Sequence, residues 1–235
     1  MNKSVIIIIG PPGSGKGTQA YLLSEKLNLH YLETSKIIEE KFGQSNEGDF
    51  VEVNGEKFFI AKEKELFEKG ILCSPPFVTY LIKEKIKNLF DEGKNLVMAG
   101  SPRTLYEGRA VIPLLKELYG KENIDVILID LPEEESIFRN SHRRLCSLMR
   151  HPILYNEETK NLTRCPLDGS KLIVRVLDNV EVMKVRIKEY KERTLPLIDY
   201  FKEEGLNIKE VKGKQTPAEL HEDILKVLEI SNDSH

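Results

Sequence analysis

A chain of 235 residues, 40% of them hydrophobic and 31% charged, has the composition of one α/β globular protein able to bury a sizeable core. Its 35 basic and 38 acidic side chains are spread along the chain, so no basic arm or acidic tail points to nucleic acid or membrane, and the expected partners are small molecules. The apolar run at residues 5–9 is too short to span a bilayer, no signal-peptide cleavage pattern follows it, and three cysteines cannot form a disulfide framework, so a cytoplasmic location is expected.

Short β-rich runs alternate with longer stretches of helical periodicity, the pattern of a parallel sheet covered by helices. The first predicted strand is SVIIIIG (4–10), followed by a helix over 16–27 and a strand HYLET (30–34). Within 43–60, VEVNGEKF carries Asn54-Gly55, a type I′ hairpin signal between Val51, Val53 and Phe58, Phe59. A helix over 76–91 leads to the strand NLVMAG (95–100), then to a helix over 105–119 and the strand DVILIDL (125–131). A helix over 133–148 precedes residues 150–177, where Pro, Asp and Gly suggest tight turns in a small irregular subdomain. The pattern closes with a helix over 179–204, the strand NIKEV (207–211) and a helix over 217–230.

The strongest chemical signal is Gly10-Pro11-Pro12-Gly13-Ser14-Gly15-Lys16-Gly17-Thr18, which links the first strand to the first helix. It reads as a phosphate-binding loop: the glycines let backbone N–H groups converge on phosphate oxygens, Lys16 adds a point charge, and the helix N-terminus adds its dipole. The generic pattern places Ser or Thr directly after the lysine, whereas Gly17 intervenes here before Thr18. Further on, Arg139 and Arg143 stand at i and i+4 and so share one helix face.

The stretch GPPGSGKGTQ resembles the phosphate loop of the adenylate kinase family, and the resemblance continues in order through KGILCSPPFVTYLIKEKI, SPRT, FRNSHRRL and IVRVLDNVEVMKVRIKEY. It implies a three-layer P-loop fold with a five-stranded parallel sheet and two insertions. The core would comprise residues 1–33, 74–141 and 179–235, with an acceptor-binding insertion at 34–73 and a lid at 142–178. The implied activity is transfer of the ATP γ-phosphoryl group to a nucleoside monophosphate, AMP first among the candidates, by a cytoplasmic monomer using Mg2+. Another monophosphate such as GMP or CMP, or a weak ATP-binding regulatory protein, remains as an alternative.

The resemblance also assigns residues. Lys16, Arg103, Arg139, Arg143, Arg175 and Arg186 match the family's phosphate-binding cations, whose planar forks suit charge spread in the transition state. Donor contacts fall to Gly10, Gly13, Ser14, Gly15, Lys16, Gly17, Thr18, Arg139 and Gln215; acceptor contacts to Thr34, Leu72, Cys73, Gly100, Arg103, Glu107, Arg175 and Arg186. Several positions depart from the family pattern. Glu39 replaces a phosphate-binding arginine, and Glu107 stands where a base-reading glutamine is usual. Ala99 and Lys36 occupy the places of two acids that position the waters around Mg2+, and Ser101 replaces a phenylalanine. Where many members close a structural zinc site, this chain has Cys146-x-x-Met149 and Cys165-x-x-Asp168. A Met149 thioether is a poor zinc ligand, His151 would have to replace it, and a zinc-free lid is favoured.

Overall fold

The computed structural model describes residues 3–149, 152–174 and 180–230. From the start of the chain, β1 (Val5–Ile9) passes through α1 (Lys16–Leu27) to β2 (His30–Glu33) and α2 (Thr34–Gly43). A hairpin of β3 (Phe50–Val53) and β4 (Glu56–Phe59) precedes α3 (Ile60–Glu68) and α4 (Pro75–Asp91). There follow β5 (Leu96–Ala99), α5 (Leu105–Tyr119), β6 (Ile124–Asp130) and α6 (Glu133–His142). Three short strands, β7 (Arg144–Cys146), β8 (Pro152–Ile153) and β9 (Leu172–Ile173), form a separate antiparallel sheet. The chain ends through α7 (Val180–Glu189), a π-helical turn (Tyr190–Thr194), α8 (Leu197–Glu203), β10 (Ile208–Lys212) and α9 (Pro217–Val227).

The central sheet is five-stranded and parallel, in the order β10-β6-β1-β5-β2. Successive side chains of β1 point to opposite faces, and both faces are covered, which is why VIIII is apolar throughout. Val5, Ile7 and Ile9 join the core built with Phe77, Ile82 and Ile86 of α4 and Val111, Ile112 and Leu115 of α5. Ile6 and Ile8 join the opposite core with Ala20 and Leu23 of α1 and Leu220 and Ile224 of α9. The chain leaves β1 to build β2 and β5 on one side, then crosses to build β6 and β10 on the other. Ligands of open α/β sheets bind at the carboxyl ends of the strands beside such a reversal.

Three expectations from periodicity are corrected. The stretch over 34–43 and that over 60–68 are helical, and Thr34 opens α2 instead of closing the strand before it. Both helices are short and rich in charge, and their apolar anchors, Ile38 of α2 and Ile60 of α3, are too few to stand out as a stripe. The helix expected over 133–148 stops at His142: Arg143 takes an extended conformation, and Leu145 and Cys146 become buried strand residues paired with Ile173 and Leu172. The helix expected over 179–204 divides at the π-helical turn before α8, where Pro196 has no N–H to continue the ladder. The hairpin forms as expected. Asn54 and Gly55 have φ of 52° and 83°, the positive values a type I′ turn requires. Val51 and Phe58 pair across it and face the core, while Phe50 and Phe59 pack edge-on at 5.9 Å on the solvent side.

Candidate active site

The loop after β1 is shaped by close backbone approach. A Cβ on Gly10 would lie 2.7 Å from the Ile129 carbonyl, and one on Gly13, where φ is +76°, would lie 2.1 Å from Asn140 Nδ2. Gly15, with φ of +93°, caps α1 in the left-handed conformation that favours glycine. Lys16 folds back over the loop and donates to the Gly10 and Pro11 carbonyls, both at 2.7 Å, and to Ser14 Oγ at 3.4 Å. Gly17 and Thr18 occupy the first turn of α1, and the space above Gly17 is bounded by the Tyr31 hydroxyl, 3.3 Å from where its Cβ would sit.

Positive charge converges on this loop from three other segments. Burial, followed by the fields of Arg103, Arg186 and Arg143, holds the Lys16 ammonium well below the ordinary lysine pKa. These cations come from the turn after β5, from α7 and from the C-terminal cap of α6, so the fold brings together groups separated by up to 170 positions in sequence. Like charges gathered in a low-dielectric cleft repel one another, and an anionic ligand relieves that repulsion.

Arg103 is held by the turn itself. Its guanidinium crosses Gly100, where φ is +100° and a Cβ would meet Nη2 at 2.8 Å, with Thr34 alongside. Its backbone N–H donates to Glu107 Oε2 at 3.0 Å. The Ser101 hydroxyl donates to the same oxygen at 3.0 Å, and the Thr104 hydroxyl donates to Oε1 at 3.1 Å. In return Thr104 caps α5 by accepting from the Glu107 N–H at 3.2 Å. Burial pushes the Glu107 carboxyl up, against the pull of those donors and of the Arg103 charge. The place of Ser101 is thereby explained: it supplies a donor that a buried carboxylate needs and a phenylalanine lacks.

Arg139, expected at the donor nucleotide, donates to Glu135 Oε1 at 2.7 Å and to the Gln215 carbonyl at 3.4 Å, which joins α6 to the segment between β10 and α9. Cys73, expected at the acceptor, is buried and its thiol is pushed up to about 12, by burial first and by nearby Glu63 second. The charges of Arg103 and Glu107 also act on it. The Leu72 N–H donates to Glu189 Oε2 at 3.1 Å, and Thr34 is buried with a hydroxyl that finds no hydrogen-bond partner among the described residues. Arg175 and His151 lie outside the described residues.

A family model described as adenylate kinase matches residues 8–206. The chain belongs to the adenylate kinase family. It is 34% identical over 226 residues to an adenylate kinase of Methanothrix thermoacetophila, covering 95% of this chain and 97% of that one. It is 32% identical over 228 residues to an adenylate kinase of Archaeoglobus fulgidus, covering 95% and 97%. For an adenylate kinase of Clostridium acetobutylicum the figures are 34% over 228 residues, with 95% and 98% covered.

Within this member of the adenylate kinase family, two residues that sequence reasoning passed over tie α6 to the phosphate loop. Ser136 donates to the Pro12 carbonyl at 2.6 Å, and Asn140, one turn later, donates to the Ser136 carbonyl at 2.7 Å while lying against Gly13. Both are fully buried polar side chains on a helix whose other faces are charged. That i, i+4 spacing beside FRNSHRRL is the signal that could have found them.

Beside the small antiparallel sheet, Cys146 of β7 and Cys165 and Asp168 of the turn before β9 bring their ligand atoms within 4.8 Å of one another. The Cys146 thiol donates to Asp168 Oδ2 at 2.9 Å and the Ser170 N–H to Oδ1 at 2.9 Å, and these donors hold the Asp168 carboxyl well below the usual carboxylate range. Met149 is exposed.

Proposed function

We propose that the chain transfers the γ-phosphoryl group of ATP to AMP, giving two molecules of ADP. The supporting observation is the convergence of Lys16, Arg103, Arg143 and Arg186 on the glycine loop. An acceptor phosphate is already anionic and nucleophilic, so this transfer needs no general base; it needs alignment and neutralisation of charge. In this reading the loop N–H groups and Lys16 hold the donor β/γ-phosphates, and Arg139 with Gln215 flanks the rest of the donor nucleotide. Arg103 and Arg186 clamp the acceptor phosphate, joined by Arg175. Thr34, Leu72, Cys73, Gly100 and Glu107 surround the acceptor nucleoside. Residues 34–73 are the acceptor-binding insertion and 142–178 the lid, on a monomeric cytoplasmic core that meets only small nucleotides. Among the described residues no helix is long and apolar enough to cross a membrane.

The donor set beside the loop fits magnesium, which takes hard oxygen ligands and keeps several waters. Thr18 supplies a hydroxyl in the first turn of α1. Magnesium, when bound with ATP, neutralises charge on the transferring group. For the lid, a zinc-free state is the reading kept: three ligand atoms, of Cys146, Cys165 and Asp168, converge among the described residues, and the fourth candidate, His151, lies outside them. After dialysis against a chelator, elemental analysis is expected to find well under one zinc per chain with an unchanged thermal midpoint. Stoichiometric zinc would overturn that expectation.

A coupled assay with AMP, GMP, CMP, UMP and dTMP tests the function, with AMP expected to give the highest kcat/KM. Glu107→Gln is expected to raise the AMP/GMP ratio about tenfold, since an amide both donates and accepts toward adenine whereas a carboxylate only accepts, and to lower the thermal midpoint, because the amide nitrogen cannot accept from the Ser101, Thr104 and Arg103 donors that the carboxylate satisfies. A ratio unmoved by that change would remove Glu107 from base selection. Tight ATP binding without turnover of any acceptor would leave an ATP-binding regulatory protein, the reading favoured by Ala99 and Lys36.

A further inference from the structure

The loss of an acid at Ala99 is answered one strand away. In the parallel pairing of β2 with β5, Glu33 is the residue opposite Ala99, just as Ile8 of β1 is opposite it on the other side. Register partners in a parallel sheet project to the same face, and adjacent strands are about 4.8 Å apart. Ala99 projects to the face covered by α1, and Tyr31, two residues before Glu33, packs on that same face. The Tyr31 hydroxyl bounds the space over Gly17, and Glu33 acts electrostatically on Tyr31 before Arg103 does. The carboxylate of Glu33 therefore stands at the carboxyl edge of the sheet, on the face covered by α1, whose first turn includes Thr18.

We propose that Glu33 is a positioning residue for the ATP-bound divalent cation, orienting its water ligands in place of the carboxylate absent at Ala99. This rests on the phosphoryl-transfer reading given above. Glutamate is one methylene longer than aspartate, which offsets part of the lateral displacement to the neighbouring strand. The group is held without being exhausted: Ser35 Oγ donates to Oε1 at 3.0 Å and Lys36 Nζ lies 3.1 Å from Oε2, and each oxygen keeps a lone pair for water. Its side chain is 28% exposed, suited to a contact through water. Lys36, the second departure from the usual acids, takes part in the same arrangement, because it fixes the Glu33 carboxylate from the first turn of α2.

The test compares four full-length proteins: wild type, Glu33→Gln, Ala99→Asp, and the double variant carrying both. Two quantities are read, the Mn2+ dissociation constant of the ATP complex by electron paramagnetic resonance and the Mg2+ concentration giving half-maximal turnover. Glu33→Gln is expected to raise both about tenfold, the scale of loss when an outer-shell carboxylate is removed, with metal-free ATP affinity unchanged. The double variant is expected to return both toward wild type by moving the carboxylate back to β5, and Ala99→Asp alone to change them little. The thermal midpoint separates a structural role, since loss of the Glu33–Lys36 pair alone would move it without moving Mn2+ binding. An unchanged Mn2+ constant in Glu33→Gln, or no recovery in a stably folded double variant, overturns the proposal. Absence of turnover in the wild type would count against phosphoryl transfer, while the Mn2+ measurement would still decide the role of Glu33.

Discussion

Arg103→Ala is expected to lower kcat about 10³-fold while leaving the KM for ATP within a few-fold of wild type. The guanidinium lies over Gly100 at the end of the strand next to β1 and its loop, where the proposed reaction would bring the acceptor phosphate and the charge that develops as the phosphoryl group moves. Arg103→Lys keeps the charge but not the two-pronged fork, and an intermediate loss is expected. Stability feels two opposing effects. Removal of Arg103 relieves its repulsion of Lys16, but it also strips the buried Glu107 carboxyl of the charge that favours its ionised form. The expected pattern is a thermal midpoint little changed beside a nearly lost turnover. Steady-state kinetics and thermal unfolding check both halves, and a normal kcat in Arg103→Ala would remove the arginine from the reaction.

Gly13→Ala is expected to weaken ATP binding at least tenfold and to lower the thermal midpoint. Two costs combine. A side chain at φ of +76° is strained by about 1–2 kcal/mol, and its Cβ would lie 2.1 Å from an Asn140 amide already committed to the Ser136 carbonyl. The loop must shift, and its N–H groups then cease to converge. A loss of about 2 kcal/mol corresponds to roughly 4–8 °C in a chain of this size. Gly13→Ala combined with Asn140→Ala should recover part of the midpoint, because it removes the collision, and little of the ATP affinity, because the backbone strain remains. Wild-type ATP affinity in the single variant would show that this backbone shape is not what holds the phosphates.

The sheet was legible because burial on both faces leaves continuous apolar runs such as VIIII and LVMA, which few other structures produce. The phosphate loop was legible because its glycines answer a local backbone demand. What escaped depends on tertiary context. Short helices such as TSKIIEEKFG are stabilised by packing Ile38 onto the core and carry little signal of their own. The break after His142 is imposed by strand partners that lie up to 31 residues downstream. In the site, single motifs announced Lys16 and Arg103, but the Ser101–Glu107 bond appears only when the turn after β5 brings the two side chains together. The pairing of Glu33 with Ala99 is likewise a fact of register, invisible until β2 and β5 are laid side by side.

The grip of α6 on the phosphate loop leaves little slack between two parts of the molecule. Ser136 and Asn140, the fourth and eighth of its ten residues, seat it on Pro12 and Gly13, and Arg143 alone separates its end from β7. The loop that opens α1 and the first strand of the small sheet are thus joined by one short helix and a single extended residue, with no separate linker between them.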